Sequence, residues 1–536
     1  MPSGKRERLL RLLEQKGVRP AASPTIPPRA PAEEVPLSFA QEQLWFLEQL
    51  EPDRSLYNVP GAVRLGGPLN PLALERTLNA IVARHEPLRT TVHAKDGRPY
   101  QRVAPHRPFP LAVVDLTAIE ASARDAEARR LATAEAHRRL DLETGPLARF
   151  SLIRLGENEH VLVFNFHHII ADGWSMGVFS REVDQLYPAL RDGRPSPLAP
   201  LPIQFADFAV WQRRWMQGKV LEDHRAFWSR ELGGDLPTGE LPADKPRPAT
   251  PSYRGEHEAV VLAESLSASL RALSKRHGVT TFMTLLAAYK ILIHAWTRAV
   301  SRPPSSSADV VVGSVIANRN RKELEGLIGY LCNTLVLRTP LGGNPPVGEL
   351  LRRVRDVTLG ACSYQDMPLS RLVEQVQPGR DLSRNPLFQV EFSVLTPDVN
   401  PALYNYGLGA GVMETATLAG LAATPFDVEY KIARFDVAVI LWDMPDRIRG
   451  TVEYSADLFE AATIKQMVGD YELILRRMER EPEATVETLS SEIQTARQKQ
   501  RSQDEERYRE ALGQKLRGLR RRPAAAGGIP EASQPL

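Results

Sequence analysis

Two adjacent histidines, His167 and His168, stand where an apolar stretch of the sequence gives way to a turn. The preceding residues, 161–166, read VLVFNF and predict a buried strand, and Asp172-Gly173 is a turn signal. Successive side chains on a strand point to opposite faces, so the two imidazoles cannot both reach one small volume. This argues against joint metal ligation and favours one histidine working in a cavity while the other supports it. Because histidine titrates near neutral pH, the predicted chemistry is proton transfer.

The wider segment, 166–175, reads FHHIIADGWS and resembles the His-His-x-x-x-Asp-Gly motif of condensation domains from nonribosomal peptide synthetases. Further segments resemble other motifs of that family, in the family's order. They are SFAQEQLWFL at 38–47, RHEPLRT at 84–90, DFAVWQ at 207–212, IGYLCNT at 328–334, YQDMP at 364–368 and RDLSRNPLFQV at 380–390. Two histidines at a strand end often only close off a core, but the ordered motifs, spanning roughly 34–480, favour the functional interpretation.

The sequence departs from the family pattern at a few motif positions, and none of the departures removes a proposed catalytic group. They are Ala171 for a frequent serine, Phe205 for tyrosine, Leu331-Cys332 for Phe-Val, Tyr364 for histidine and Leu369-Ser370 for Phe-Glu. The motifs typical of epimerisation and heterocyclisation domains are absent. Segments 38–50 and 84–90 resemble condensation domains that take an L-configured donor.

The alternation of strand and helix patterns along the chain predicts an α/β fold of mixed sheets with helices packed on them. The resemblance further implies two lobes, each like chloramphenicol acetyltransferase, joined in a V with a central tunnel. We predict a basic helix and proline-rich linker at 1–33, an N-terminal lobe with the histidine motif at 34–205 and a C-terminal lobe at 206–480. A charged helical tail and a disordered end follow at 481–536.

The chemistry that the resemblance implies is amide bond formation between two groups held on carrier proteins. A donor carrier presents an acyl or peptidyl thioester on its phosphopantetheine arm, an acceptor carrier presents an amine, and no cofactor is bound permanently. His168 is the predicted base or positioning group; whether it takes the proton or only hydrogen-bonds the amine is open at this point. Gly173 lets the backbone approach the substrate, and its N–H is predicted to face the oxyanion.

The remaining candidate site residues surround this centre. By resemblance, Asp172 points away from the tunnel and pairs with an arginine, for which Arg319 is the best match, so we favour a structural role for Asp172 over a catalytic relay. His167 has the same supporting status. Trp174, Ser175, Asn333 and Arg319 are grouped as substrate-binding residues, although Trp174 can equally be part of the core.

Composition agrees with a large globular enzyme: 536 residues, of which 43% are hydrophobic and 25% charged. A net charge of +3 is too balanced to argue for nucleic acid or membrane binding by itself, and we predict neither partner. The two cysteines, Cys332 and Cys362, cannot form a disulfide framework and have no metal-ligand spacing. With no secretory signal visible, these features predict a cytoplasmic protein. The apolar segment 284–296 is too short to span a bilayer and predicts a core helix.

Three functions remain open. The first is an amide-forming condensation domain that works with other synthetase modules, since no carrier or adenylation motif is evident in the chain. The second is the same scaffold forming an ester with an alcohol acceptor. The third is a non-catalytic recruitment module, which ranks last because the histidine motif is intact.

Overall fold

The computed structural model describes residues 25–31, 34–50, 55–237, 239–298, 308–376, 381, 383–395 and 416–499. The basic N-terminal helix and the disordered end predicted from the sequence lie outside these residues, as does most of the predicted linker and charged tail. The described part of the tail, 481–499, includes a helical stretch at 486–499.

The first part of the described chain builds a small antiparallel sheet and most of a larger mixed one. Its helices are Phe39–Leu50 (α1), Pro71–Arg84 (α2), Ala121–Ala136 (α3), Gly173–Arg191 (α4), Phe205–Trp215 (α5) and Gly218–Leu232 (α6). Its strands are Val35–Pro36 (β1), Asn58–Gly66 (β2), Thr90–Lys95 (β3), Arg98–Val103 (β4), Ala112–Asp115 (β5), Ala148–Gly156 (β6) and Glu159–His167 (β7). Strands β1, β4 and β3 form the small sheet, whereas β2, β7, β6 and β5 lie side by side in the large one.

The second part of the chain builds another large mixed sheet. Its helices are Glu264–Arg276 (α7), Thr281–Arg298 (α8), Val347–Ser363 (α9), Leu369–Val376 (α10) and Ala461–Arg480 (α11). Its strands are Gly255–Val261 (β8), Asp309–Ile316 (β9), Asn333–Pro340 (β10), Val390–Leu395 (β11), Ala416–Leu418 (β12), Leu421–Pro425 (β13), Val437–Asp443 (β14) and Ile448–Ser455 (β15). The sheet order is β10-β9-β11-β14-β15-β8, and β11 is parallel to both of its neighbours.

Strand β7, which leads to the two histidines, is buried on both faces. Phe164 and Phe166 pack into the cluster formed with α2 and α4, whereas Val161 and Val163 pack into a second cluster with α3. Because helices cover both faces, five of the six residues at 161–166 are apolar. The buried strand predicted from the VLVFNF run is therefore confirmed, and its end is fixed in position by packing on both sides.

The hairpin of β12 and β13 corrects the domain organisation predicted from the sequence. Although it lies within 206–480, β13 pairs antiparallel with β2, from Ala422 opposite Gly66 to Pro425 opposite Val63. The hairpin thereby extends the first large sheet to six strands. The prediction that 206–480 forms one C-terminal lobe is wrong for these residues, because strand periodicity indicates a buried face but not the sheet that the strand joins.

Helix α8 is a core helix, as predicted: every residue from Met283 to Trp296 is buried. The ammonium of its Lys290 donates to the backbone carbonyls of Val310 and Leu337 at 3.1 and 2.6 Å. Within the described ranges no single helix is both long and apolar enough to cross a membrane. Helices α7 and α8 together have the necessary length and composition, but they are bent by 103° relative to each other.

We expect Gly61→Ala in β2 to destabilise the fold. A Cβ at Gly61 would lie 2.2 Å from Cζ of Phe164, the residue opposite it on β7. Overpacking of this kind costs about 1–3 kcal/mol, which a urea titration would detect as a lower free energy of unfolding. The matched control is Gly66→Ala in the same strand, where the nearest atom to the new Cβ is Cβ of Ala422 at 3.6 Å. Equal stability of the two variants would contradict the expectation.

Candidate active site

The two histidines lie at the junction between β7 and helix α4. Strand β7 ends at His167, residues 168–170 form one 3₁₀ turn, and Asp172 is the N-cap of α4. Backbone hydrogen bonds fix the junction: the N–H of His167 donates to Leu147 O at 2.8 Å, and that of His168 donates to Tyr57 O at 2.7 Å. The turn places the two imidazoles in different surroundings, as the strand geometry predicted.

His167 is buried, and both of its ring nitrogens have partners inside the protein. Its Nδ1 accepts the N–H of Ile169 at 3.1 Å, and its Nε2 lies 3.1 Å from a carboxylate oxygen of Glu48 on α1. A ring with both nitrogens engaged supports the turn and is not placed to act on a substrate.

His168 is only partly exposed, and one of its ring nitrogens is open. Its Nδ1 lies 2.9 Å from the carbonyl oxygen of Ala171, which can only accept, so Nδ1 carries the proton and Nε2 has the lone pair. Among the described residues Nε2 has no hydrogen-bond partner. The ring of Tyr330 packs edge-on at a centroid distance of 4.9 Å. Burial, with a smaller contribution from the charge of Arg434, lowers the pKa of His168 to about 4, so the imidazole is neutral at pH 7.

Asp172 has no exposed oxygen to offer a substrate. The guanidinium of Arg319 donates to both carboxylate oxygens at 2.8 and 2.9 Å, and the two side chains are 1% and 2% exposed. The remaining donors are the N–H and hydroxyl of Ser175 at 3.0 and 2.8 Å and the N–H groups of Leu331 and Cys332 at 3.0 and 3.1 Å. Burial opposes ionisation, but the charge and hydrogen bonds of Arg319 outweigh it and hold the pKa of Asp172 below its usual value.

This carboxylate joins the two parts of the chain. Asp172 and Ser175 form a capping box at the start of α4, which accounts for the helix beginning at Gly173. Arg319 and the 328–334 motif come from the second part, and the N–H of Gly329 donates to the hydroxyl of Ser175 at 3.1 Å. The histidine turn is therefore held against the second part through one buried ionic network.

All four residues grouped as substrate-binding have polar side-chain groups that contact other parts of the protein. Ser175 and Arg319 lie inside the Asp172 network, with Ser175 fully buried, so their polar groups are already used within the protein. Trp174 donates its indole N–H to Glu325 O at 2.9 Å and lies under the guanidinium of Arg319, so it also joins the two parts of the chain. Asn333 donates to the carbonyls of Gln365 and Met367 at 2.8 and 2.7 Å, which ties two motif segments together.

Four further residues surround the histidines and were not among the predicted site residues: Glu48, Tyr57, Tyr330 and Arg434. Glu48 directly follows the first motif, and Tyr330 lies inside the 328–334 motif, so their places in the sequence could have indicated that they lie near the site. Tyr57 and Arg434 carried no such signal, because they lie outside every motif. Gly173 stands half-exposed at the first turn of α4, and its predicted role at the oxyanion stays a prediction.

Residues 31–500 match the model of the condensation domain family, and the chain belongs to that family. It is 43% identical over 443 residues to one of the linear gramicidin synthase proteins of Brevibacillus parabrevis, covering 82% of this chain and 5% of that protein. It is 38% identical over 465 residues to the phosphinothricin tripeptide synthetase PhsC of Streptomyces viridochromogenes, covering 86% of this chain and 41% of that protein. The chain thus spans only a minor part of the curated relatives that it matches.

Solved structures agree with this assignment. The X-domain from teicoplanin biosynthesis is 28% identical with a TM-score of 0.74, covering 87% of this chain and 99% of that one. The SgcC5 protein from Streptomyces globisporus is 26% identical with a TM-score of 0.65, covering 84% of this chain and all of that one. The predicted fold class is confirmed: the chain has the mixed α/β fold of condensation domains, with lobes like chloramphenicol acetyltransferase.

We expect Asp172→Ala to destabilise the protein by about 3–5 kcal/mol, because it leaves the guanidinium of Arg319 buried without its carboxylate. Thermal and urea unfolding measure the loss. Folding lowers the pKa of Asp172 below its unfolded value of about 4. The contribution of Asp172 to stability is therefore present above the unfolded pKa and is lost as the pH falls through the folded pKa. Wild type and variant should become equally stable in acid.

The matched control is Asp115→Ala. Asp115 pairs with Arg154 at 3.3 Å with both side chains nearly half-exposed, and such a pair stabilises a fold far less than a buried one because solvent screens it. A folded and stable Asp172→Ala protein that has lost activity would instead give the carboxylate a catalytic role.

Proposed function

We propose that this chain catalyses amide bond formation between two carrier-bound groups. The donor is an acyl or peptidyl thioester on one carrier protein, and the acceptor is the amine of an aminoacyl group on a second. The observation that carries the proposal is the neutral imidazole of His168, whose Nδ1–H is bound to Ala171 O while Nε2 keeps its lone pair. An attacking amine must shed a proton, and a group in this state can receive it or accept a hydrogen bond from it.

The reaction balances without an added oxidant, reductant or metal. The amine nitrogen attacks the thioester carbonyl carbon, a C–N bond forms, and the carbonyl oxygen becomes an oxyanion. The nitrogen loses one proton, the C–S bond breaks as the carbonyl re-forms, and the departing sulfur is protonated. The products are the amide on the acceptor carrier and a free thiol on the donor's phosphopantetheine arm.

The low pKa of His168 bears on its part in this step. A pKa of about 4 lies well below the value of about 8 of an ordinary α-amino group, so the ring cannot remove a proton efficiently from a resting ammonium. It can accept a hydrogen bond from the neutral amine and orient it, and then take the more acidic proton of the tetrahedral adduct. Orientation of the two reactants itself contributes up to several kcal/mol to a reaction of this kind.

The partners follow from the same proposal. The phosphopantetheine arms are tethers of the two substrates and not groups resident in this chain. Relatives named as a linear gramicidin synthase and a phosphinothricin tripeptide synthetase support a role alongside other synthetase modules that load the carriers. The resemblance of the 38–50 and 84–90 segments to L-donor domains supports an L-configured donor.

One observation favours a second candidate, a recruitment module without catalysis. The X-domain from teicoplanin biosynthesis superposes with a TM-score of 0.74, and a solved complex contains that domain with OxyB. The open Nε2 of His168 favours the catalytic proposal, because a surface that only recruits a partner has no need of a neutral histidine with a free lone pair.

We expect His168→Ala to abolish condensation while leaving the melting temperature close to that of wild type, since the ring makes one hydrogen bond through its side chain. Mass spectrometry of carrier-bound products measures the activity. His277→Ala, at the C-cap of α7, is the matched control and should keep full activity. Near wild-type turnover by folded His168→Ala would leave the recruitment module as the better candidate.

The pH profile of the wild type is a second measurement on the same group. Because burial lowers the pKa of His168 to about 4, the rate should not fall through protonation of this ring near pH 6.5. It should instead rise with pH through the ionisation of the acceptor amine near pH 8. An acid limb near 6.5 that coincides with the titration of His168, followed by nuclear magnetic resonance of labelled histidine, would contradict the neutral imidazole.

Competing acceptors separate the amide from the ester. Two acceptor carriers are loaded with groups of the same shape, one ending in an amine and the other in a hydroxyl, and the products are counted by mass spectrometry. We expect amide from the amine carrier to dominate, since an alcohol has a far higher pKa and depends more completely on the base. Product from the hydroxyl carrier alone would make this an ester-forming domain.

A further inference from the structure

The last motif of the chain has no part in the site described so far, yet three of its contacts converge on one short segment. The side-chain amide of Asn385 donates to the carbonyl of Arg434 at 2.9 Å. The ring of Phe388 stacks on Phe435 at a centroid distance of 5.5 Å. The N–H of Asp436 donates to Gln389 O at 3.0 Å. Residues 385–389 therefore fix the backbone of 434–436 residue by residue.

Further bonds make this scaffold rigid. Asn385 and Gln389 bond to each other twice: Gln389 Oε1 accepts the N–H of Asn385 at 3.2 Å, and its amide donates to Asn385 O at 2.8 Å. The buried carboxylate of Asp436 accepts hydrogen bonds from both terminal nitrogens of Arg247, one of them at 2.9 Å. The backbone that carries Arg434 is thus held from the motif on one side and from Arg247 on the other.

The side chain of Arg434 crosses from this scaffold to the first part of the chain. Its Nη2 donates to Leu56 O at 2.6 Å, and its Cζ lies 5.7 Å from the ring centroid of Tyr57. The next carbonyl, Tyr57 O, accepts the backbone N–H of His168 at 2.7 Å. The guanidinium is therefore anchored one residue away from the backbone group that holds His168. Its Nε is buried and has no hydrogen-bond partner among the described residues.

Among the charged groups near His168, Arg434 differs in having no partner of opposite charge in the described part of the chain. Asp172, Tyr330 and Arg434 face the imidazole; the charge of Arg434 lowers the pKa of His168, whereas that of Asp172, which is paired with Arg319, raises it by less. Arg434 in turn faces the phenols of Tyr57, Tyr330 and Tyr430, and burial keeps the pKa of Tyr330 and Tyr430 above the ordinary value. In the described part of the chain no carboxylate forms a salt bridge with Arg434, so its positive charge is felt by the imidazole.

We propose that Arg434 is a positioning residue for the acyl transfer and that residues 385–389 are the scaffold that presents it. The guanidinium anchors the 56–57 segment that receives His168 and sets a positive charge beside its imidazole. Such a charge disfavours the imidazolium, which keeps the lone pair of Nε2 available as a hydrogen-bond acceptor, and it favours the oxyanion of the adduct. The effect on rate rests on the proposed function, whereas the effect on the protonation of His168 does not.

The experiment compares three substitutions in the full chain. Arg434→Gln removes the charge, Arg434→Lys keeps the charge but loses the guanidinium fork, and Asn385→Ala loosens the scaffold. The control is Lys431→Gln, which removes a cation three residues away that is exposed and paired with Glu256 at 2.8 Å. Nuclear magnetic resonance of labelled histidine measures the titration midpoint of His168, and product formation gives kcat, KM and their pH dependence. Melting temperatures confirm that each variant is folded.

We expect Arg434→Gln to raise the midpoint of His168 by about one pH unit, because removal of a nearby positive charge stabilises the imidazolium. Its kcat should fall by about tenfold with little change in KM for either carrier, a smaller loss than that of a direct oxyanion donor. Arg434→Lys should restore the midpoint, Asn385→Ala should shift it partway, and Lys431→Gln should leave it unchanged.

A folded Arg434→Gln protein with the wild-type midpoint would overturn the inference, as would equal shifts in Arg434→Gln and Lys431→Gln. Failure of the proposed function has a different signature: wild type and all variants would form no product, while the midpoint of His168 would still move in Arg434→Gln. If Arg434→Gln does not fold, Arg434→Lys and Asn385→Ala carry the test, and wild-type midpoint and kcat in Asn385→Ala would then overturn the scaffold.

Discussion

The buried ion pair between Asp172 and Arg319 is the interaction on which the rest of the site depends. It brings together the start of α4, the loop after β9 and the 328–334 motif, and every oxygen of the carboxylate is satisfied. A carboxylate at this depth would be strongly unfavourable without such partners, so the turn that carries His168 is stabilised by contacts from both parts of the chain.

The short turn gives the two neighbouring histidines different roles. Both ring nitrogens of His167 are hydrogen-bonded, to Ile169 and Glu48. One ring nitrogen of His168 is hydrogen-bonded to Ala171, and the other has no partner among the described residues. The carbonyl of Ala171 selects the tautomer, because it can only accept a hydrogen bond. One ring thus becomes part of the framework, and the other becomes a neutral group with a directed lone pair.

Several motif residues of this family form contacts that hold the histidine turn and its surroundings in place. Gln41 of the first motif donates to Ile169 O at 3.0 Å, and His85 of the second lies 2.9 Å from Glu182 on α4. The 328–334 motif closes on Asp172, and the last motif fixes Arg434. Two departures from the family pattern, Tyr364 and Phe205, pack against aromatic neighbours, Phe227 and Phe208 respectively, so neither removes a group from the histidine turn.

The sequence by itself determined the local features: the strand before His167, the turn at Asp172, the divergence of the two imidazoles and the core helix at α8. These follow from side-chain periodicity and capping, which are encoded within a few residues. Arg319 was reached only through family resemblance. The tertiary structure decided that Glu48 supports His167, that Arg434 stands near His168 and that β12 and β13 join the first sheet. The partners in these contacts are separated by more than a hundred residues, and no local pattern encodes which distant residues packing will bring together.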